Sequence, residues 1–108
     1  MSDPLTNSEL LVMSAVLHLA NNAYGVPIVQ ELERNRHPMS VATVYVVLGR
    51  LEERGLVLST MGEATPERGG RAKRYFRVTA KGVREVRALQ RTLIELWRGV
   101  PQLQGGTT

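Results

Sequence analysis

The sequence predicts a mainly α-helical fold with a small antiparallel β-hairpin (α+β), and three observations lead to it. Residues 40–55 repeat apolar side chains at helical spacing, so that one side of a helix would be buried. Two short alternating segments follow, separated by a glycine-rich stretch that suits a hairpin tip. A long amphipathic segment then ends the pattern. Three helices, a hairpin and a last helix are typical of a winged helix-turn-helix.

The charge and composition of the chain indicate which class of partner it can bind. The 108 residues carry a net charge of +4, and nine of the 14 Lys and Arg residues fall within positions 68–91 beside a single acid. This distribution favours an anionic partner such as nucleic acid. Cysteine is absent, and no apolar run approaches the roughly 20 residues of a membrane span. We expect a cytoplasmic protein without cofactor, metal ion or membrane contact.

The first helix is expected to begin after Thr6 and end near Ala20. Thr6 and Glu9 have the spacing of a capping box, in which each side chain serves the other's backbone amide. The helix is apolar around nearly its whole circumference, so it needs cover on more than one side. In a chain this short, we expect a second subunit to supply that cover, with Leu11 in the interface.

The second helix is expected to have Pro27 in its first turn and to end near Asn35. A proline is tolerated there because the first amides of a helix have no intrahelical partner. Pro38 disfavours helix at His37 and therefore separates this helix from the next. His18 and His37 have no second ligand at zinc spacing, and we interpret both as structural.

The third helix has Ser40 as its N-cap and Gly55 at its end. Its inner side is predicted to comprise Val44, Val47, Leu48 and Leu51, and its opposite side Ala42, Val46, Gly49 and Glu53. Tyr45 flanks the free side on one edge, and Thr43, Arg50 and, less squarely, Arg54 flank it on the other. If this helix entered a major groove, the hydrogen-bonding and cationic groups on its two edges would lie where the DNA phosphates are. A solvated amphipathic helix is the alternative, and Tyr45 could instead have a structural role under the hairpin.

The hairpin strands are predicted at residues 56–61 and 71–78, with the tip at 62–70. Alternation places Phe76 and Val78 on one side together with Arg74, and Phe76 in the core. Arg71, Lys73 and Arg74 are candidate DNA contacts. A charged strand facing only solvent is the alternative for these three cations.

The last helix is expected to begin after the N-cap Thr79 and to reach about residue 98. Apolar residues recur along this helix at spacings of three and four and form a stripe, and arginines lie on the opposite side. The stripe is too long for one small domain to bury. We therefore predict a dimerisation surface. Trp97 could also line the bottom of a pocket that binds an aromatic effector, although packing in the dimer interface is the simpler interpretation. The predicted stripe is Val86, Leu89, Leu93, Leu96, Trp97 and Val100.

The chain resembles the PadR family of bacterial transcriptional regulators over residues 5–100. Three pieces carry the resemblance: Tyr24-Gly25 with Ile28; residues 40–45 with Leu48, residues 50–52 and Gly55-Leu56; and Gly70-Arg71 with residues 73–76 and 79–82.

The resemblance implies homodimers that place a recognition helix in the major groove and a wing beside it. Many such proteins are repressors, and some release DNA on binding an aromatic or drug-like effector. Ser40, Thr43 and Tyr45 match the start of the DNA-contacting helix by position, and Arg71, Lys73 and Arg74 match the wing. The chain looks like the short kind, with one C-terminal helix.

The sequence departs from the family pattern at Val46, where proline is common, and at Gly49, where a larger polar residue is usual. With Ala42 beside them, the middle of the free side has no Arg, Asn or Gln for a bidentate base contact. We expect specificity to come from thymine methyl contacts, the flanking Tyr45 and Arg50, and DNA shape.

The sequence thus predicts a DNA-binding transcriptional regulator, a repressor acting as a homodimer. Residues 1–79 would form the DNA-binding domain, residues 80–100 the dimerisation helix, and residues 101–108 a disordered tail. A winged-helix module that binds an acidic protein instead of DNA is the alternative. Enzymatic activity has no supporting constellation of residues.

Overall fold

The computed structural model describes residues 3–62 and 72–104. In chain order the elements are α1 (Asn7–Leu19), a 3-10 turn (Ala20–Asn22), α2 (Gly25–Arg34), α3 (Val41–Glu53), β1 (Val57–Met61), β2 (Arg74–Val78), α4 (Ala80–Trp97) and a second 3-10 turn (Pro101–Leu103). The predicted helical fold with a two-stranded antiparallel hairpin is confirmed. Among the helices described, none is long and apolar enough to cross a bilayer.

Three helices begin at the hydroxyl caps that the sequence predicts. Thr6 Oγ1 accepts from the Glu9 amide at 3.1 Å, and the Glu9 carboxylate accepts from the Thr6 amide at 2.9 Å, which completes the capping box. The hydroxyls of Ser40 and Thr79 each accept from the amide three residues on, at 3.1 and 3.0 Å. Each cap fixes where its helix starts and contributes about 0.5–2 kcal/mol.

The core lies between the first three helices and one face of the hairpin. All four predicted inner residues of α3 are buried, with at most 1% of their surface exposed. Phe76 is 4% exposed, so its predicted place in the core is confirmed. The core comprises Val12, Met13, Ala15, Val16, Ala23, Ile28, Leu32, Val44, Val47, Leu48, Leu51, Leu56, Val57, Phe76 and Val78.

Helices α2 and α3 approach each other closely at the start of α2. Pro27 is the third residue of α2, where its missing amide costs no helical hydrogen bond. Gly25 is buried, and a Cβ there would lie 2.6 Å from the Tyr45 hydroxyl oxygen. A side chain at residue 25 would therefore displace the Tyr45 ring, and glycine lets the ring keep this contact.

The hairpin is paired in register from Val57 opposite Val78 to Met61 opposite Arg74. The strands are shorter than predicted. The Leu56 carbonyl still accepts from the Thr79 amide opposite it, but the Leu56 amide donates to the Leu51 carbonyl at the end of α3, so Leu56 is not fully paired as a strand residue. On the other edge, the Phe76 amide donates to the Ala23 carbonyl at 2.8 Å, which ties β2 to the segment before α2. Residues 63–71, with most of the predicted tip, lie outside the described residues.

The first turn of α4 is fastened to the end of α3. The Thr79 hydroxyl donates to the Gly55 carbonyl at 2.8 Å, and the Lys81 ammonium donates to the Arg54 carbonyl at 3.1 Å. A Cβ at Gly82 would lie 2.3 Å from the backbone carbonyl oxygen just before β1. This close contact requires glycine, and the three interactions together set the direction in which α4 leaves the core.

Beyond its second turn, α4 projects from the core. Among α4 residues, only Val83 and Val86 pack against the core cluster as partly buried side chains. Leu96 is 68% exposed and Trp97 is 42% exposed. The radius of gyration is 15.8 Å, compared with about 13 Å for a compact domain of this length. Helix α4 is therefore an arm with an apolar side that its own chain leaves open.

The chain after α4 differs from the disordered tail expected from the sequence. Gly99 has a φ of +76°, which turns the chain, and Pro101 begins a 3-10 turn over Pro101–Leu103. The Gln104 side-chain amide donates to the Trp97 carbonyl at 3.0 Å. These local bonds give residues 101–104 a defined path, and residues 105–108 lie outside the described residues.

Candidate nucleic-acid interface

The outer face of α3, formed by Ala42, Val46, Gly49 and Glu53, points away from the core. All four residues are exposed, and Val46 is 59% exposed. The face is small and apolar over three of its four positions and ends in one carboxylate. A partner can therefore come close to the helix backbone, but it meets no amide or guanidinium group on this face.

Ser40 and Thr43 form a pair of hydroxyls at the start of α3. The Ser40 oxygen accepts from the Thr43 amide, and the two hydroxyl oxygens are 2.9 Å apart. With its proton donated to Thr43, Ser40 acts mainly as a cap. The proton of the Thr43 hydroxyl remains for an acceptor outside the protein, and the group is exposed.

Tyr45 connects α3 to both α2 and the hairpin. Its ring packs edge-on against Phe76, with centroids 6.1 Å apart and planes at 60°, and its hydroxyl lies against Gly25. The ring is nevertheless 42% exposed. Tyr45 therefore has the structural role under the hairpin that the sequence left as an alternative, and part of its ring is still exposed to solvent.

The base of the hairpin holds Lys73 over an aromatic ring. The Lys73 ammonium lies 4.6 Å from the centroid of Tyr24, and Tyr24 packs edge-on against Tyr75 at 5.3 Å and 62°. Lys73 is half-buried, whereas Arg74 is exposed. The rings orient the Lys73 ammonium, whereas the Arg74 side chain faces solvent, and Arg71 lies outside the described residues.

One groove brings α3 and the hairpin base together. Tyr45, Lys73 and Arg74 all line it, so the structure places three of the predicted contact residues on one surface. Ser40, the N-cap of α3, and Thr43 and Arg50 within α3 do not line the groove. Its walls are Tyr24, Gly25, Val26, Val41, Tyr45, Met61, Ala72, Lys73 and Arg74.

Two arginines at the end of α3 have different roles. Arg50 is exposed and has no ion-pair partner within the described ranges. Arg54 instead forms an ion pair with Glu9 at 2.9 Å and also donates to the Asp3 carbonyl. Its side chain is 22% exposed and that of Glu9 is 5% exposed. Arg54 therefore has partners within its own chain, and its place on the flank of the contact surface stays a prediction.

The predicted dimerisation residues lie on open apolar surface. Leu96 and Trp97 are exposed, and the remaining stripe residues are half-buried. Trp97 borders a shallow depression with Ile94 and Leu103. Leu11 is half-buried and lines a separate groove between α1 and α2. Both surfaces are open in the single chain.

Glu31 lies in the groove between α1 and α2. Burial raises the pKa of its carboxyl. Hydrogen bonds from Arg34 and Asn35, the charge of Arg34 and the nearby His18 lower this pKa by a larger amount, so it lies below its ordinary value. The side chain is thus held as a carboxylate. In the part of the chain that the structure covers, no three His, Asp or Glu side chains converge as a metal site would require.

Comparison with known proteins identifies the family. The family model described as "Transcriptional regulator PadR-like family" matches residues 15–88. The chain belongs to this family. The resemblance inferred from the sequence is confirmed, and with it the role of transcriptional regulator rather than enzyme.

Several relatives agree with the PadR assignment. The chain is 37% identical over 87 residues to transcriptional regulator Rv3488 of Mycobacterium tuberculosis, which covers 79% of this chain and 78% of the relative. A PadR-like transcription factor from Bacteroides fragilis has a similar structure, with a TM-score of 0.70 and 26% identity over 87% of this chain and 86% of that chain. A PadR regulator from Eggerthella lenta gives a TM-score of 0.67 and 26% identity over 91% and 83%.

The PadR fold also reveals groove residues that the sequence did not single out. Val26 and Met61 line the groove and are 54% and 59% exposed. Both residues are apolar, and their segments otherwise suit a core. Their exposure follows from how the hairpin packs against α2, which the sequence does not show. The sequence singles out Tyr24 only through the family resemblance, and its contact with Lys73 depends on the same packing of the hairpin on α2.

Proposed function

We propose that this PadR-family regulator binds duplex DNA in the cytoplasm as a homodimer and represses transcription by occupying its operator. Each subunit places the outer face of α3 in the major groove. The hairpin then serves as the wing and lies along the neighbouring backbone. Repression follows from occupancy, because a dimer across a promoter excludes other proteins from the same DNA.

The groove that unites α3 with the hairpin base is the observation that carries this proposal. Lys73 and Arg74 stand on one side of the outer face, and Thr43 and Arg50 stand on the other. Hydrogen-bonding and cationic groups on both flanks, with a neutral centre, match phosphates on either side of a groove. Arg71 belongs to the proposed contact set only because it matches the wing by its position in the sequence.

The open apolar surfaces support the homodimer. The stripe on α4 and the half-buried Leu11 on α1 would cover each other across a twofold axis. Large apolar side chains such as Leu96 and Trp97 are rarely left in water along a continuous helix face. The arm would thus be completed by a second copy of the chain, with residues 80–100 as the dimerisation helix.

Trp97 supports a further part of the proposal, release by a small aromatic effector. In a dimer, the depression beside Ile94 and Leu103 would lie near the subunit interface and could accept a planar apolar molecule. Quenching of Trp97 fluorescence by planar aromatic compounds, together with loss of bound DNA, is the expected result. Unchanged fluorescence up to millimolar ligand would contradict effector binding and leave the DNA proposal intact.

Selection of bound duplexes from random DNA tests the central proposal, with the mass of the complex measured on the same sample. We expect two half-sites about one helical turn apart and the mass of a dimer. Binding should weaken steeply with salt, and Lys73→Gln or Arg74→Gln should each lower the log–log slope by about one. The proposal is wrong if no sequence is enriched or if the bound species is a monomer.

A protein partner is the second candidate, favoured by the apolar lining of the same groove. Val26, Val41 and Met61 are each about half exposed there, which is unusual for a surface that meets only phosphates. Binding to an acidic protein with no retention of duplex at low salt would support this candidate. Enrichment of a duplex sequence would exclude it as the main function.

A further inference from the structure

Gly49 occupies a position where glycine is unfavourable for the protein alone. It lies within α3, four residues before the last residue of the helix. Glycine inside a helix lowers stability relative to alanine, because its backbone loses more conformational freedom on folding. An exposed helix interior therefore gains from alanine unless a specific contact forbids a side chain.

No contact inside the described molecule forbids a side chain at Gly49. A Cβ there would meet nothing within 4 Å, and its φ is not in the left-handed region that Gly55 and Gly99 occupy. Gly25 and Gly82 contrast with it, because a Cβ at either would come within 2.6 Å of another group. A Cβ at Gly62 would likewise lie 2.6 Å from the Tyr75 ring. Packing or backbone conformation thus explains the five other described glycines but leaves Gly49 without a cause inside the described part of the chain.

The surroundings of Gly49 point to a cause outside the chain. It lies on the outer face of α3 beside Val46, an apolar side chain that is 59% exposed. The flanks of this face carry Arg50 on one side and the Lys73–Arg74 pair on the other, all without acidic ion-pair partners in the described residues. A neutral floor between cationic flanks is complementary to a duplex groove.

We propose that Gly49 is a specificity-determining residue, and that the space left by its missing side chain receives a thymine methyl group in the major groove. The inference rests on the proposed DNA binding and adds to it the base that is read. A C5 methyl is the only apolar group on the major-groove edges of the bases. With Val46 beside it, the methyl would be covered on two sides while the helix backbone sits close to the base.

The first test separates stability from binding. Gly49→Ala should raise the melting temperature by about 2–4 °C, because it removes the helix penalty without creating an internal clash. The same variant should bind the selected duplex about tenfold more weakly, since its methyl occupies the space of the thymine methyl. Glu33→Ala on the exposed side of α2 is the matched control and should leave duplex affinity unchanged.

The second test removes the methyl from DNA instead of adding one to the protein. Each thymine of a selected half-site is replaced in turn by deoxyuridine. At one position we expect the native chain to lose about fourfold in affinity, the worth of one buried methyl group. At that position alone, Gly49→Ala should bind deoxyuridine more tightly than thymine, because the two methyl groups no longer compete.

The outcomes distinguish this inference from the proposed function. Equal affinity of Gly49→Ala and the native chain for every duplex in the scan would overturn the inference while leaving DNA binding established. A lowered melting temperature for Gly49→Ala would also overturn it, because glycine would then have an internal cause. A native chain that binds no duplex at all would refute the proposed function itself.

Discussion

Replacement of Arg54 by methionine tests whether the end of α3 is held by an internal ion pair instead of by DNA. Methionine keeps most of the length and apolar volume of the arginine stem but removes the charge. The variant leaves the Glu9 carboxylate, 5% exposed, without its cationic partner. One hydrogen bond to this carboxylate remains, from the Thr6 amide at 2.9 Å.

Loss of one partner of a fully buried pair costs about 3–5 kcal/mol. Arg54 is 22% exposed and the capping bond to Glu9 survives, so we reduce the expected loss to about 2–3 kcal/mol. For 108 residues the unfolding entropy is about 0.23 kcal/mol/K, at about 2.1 cal/mol/K per residue. The melting temperature should therefore fall by about 9–13 °C.

Thermal unfolding followed by circular dichroism gives this value, with all variants at one protein concentration because a dimer's stability depends on it. Arg50→Met is the matched control from the same helix. It should change the melting temperature by less than about 2 °C, as exposed surface substitutions do, but lower the salt slope of DNA binding by about one. Arg54→Met should leave that slope unchanged at a temperature where it is folded.

The reverse pattern would refute the assignment. If Arg54→Met unfolds within 2 °C of the native chain and lowers the salt slope, Arg54 contacts phosphate and its pairing with Glu9 contributes little. If Arg50→Met destabilises the fold as much as Arg54→Met, the two arginines do not differ in the way that their surroundings indicate.

Three further predictions concern stability and assembly. Gly82→Ala should destabilise the chain by at least about 2 kcal/mol in denaturant unfolding, because its Cβ would lie 2.3 Å from the Leu56 carbonyl oxygen and backbone must move; an unchanged midpoint would contradict the close packing. If the proposed homodimer forms through the α4 stripe, Leu93→Asp should give a monomer in sedimentation, since it puts a charge on that stripe; a persisting dimer would place the interface elsewhere. The Glu31 pKa is lowered on folding, so its contribution is complete above the ordinary value of 4.5 and is lost as pH falls through the folded pKa. Glu31→Gln should therefore unfold with less acid dependence in that window, and an identical pH profile would exclude the contribution.

Local patterns were enough to predict the helices and their starts. The caps at Thr6, Ser40 and Thr79 follow from hydroxyl residues placed just before an apolar repeat, and all three hydrogen bonds form. The inner side of α3 follows from helical spacing alone. These features depend on residues three or four apart, which one sequence displays directly.

Contacts between distant segments could not be predicted in the same way. The helical period places Arg54 on the flank of α3. In the structure it forms an ion pair with Glu9, which lies 45 residues earlier in the chain. Similarly, Lys73 could be recognised as a cation of the hairpin, whereas its position over Tyr24 depends on how the hairpin packs against α2. The sequence was therefore enough to identify the candidate site residues on α3. It did not show the contacts that these residues and the hairpin make with other segments.

The attachment of α4 to the end of α3 has a mechanical consequence. Helix α4 has 18 residues and is about 27 Å long, so a shift of about 3 Å at its far end corresponds to a rotation of about 6°. Lys81 and Gly82 hold the near end of α4 against the connection between α3 and β1. A rotation of α4 would therefore be transmitted to α3. In a paired molecule, the crossing angle of the two arms would then adjust the separation of the two α3 helices, and with it the operator spacing that fits.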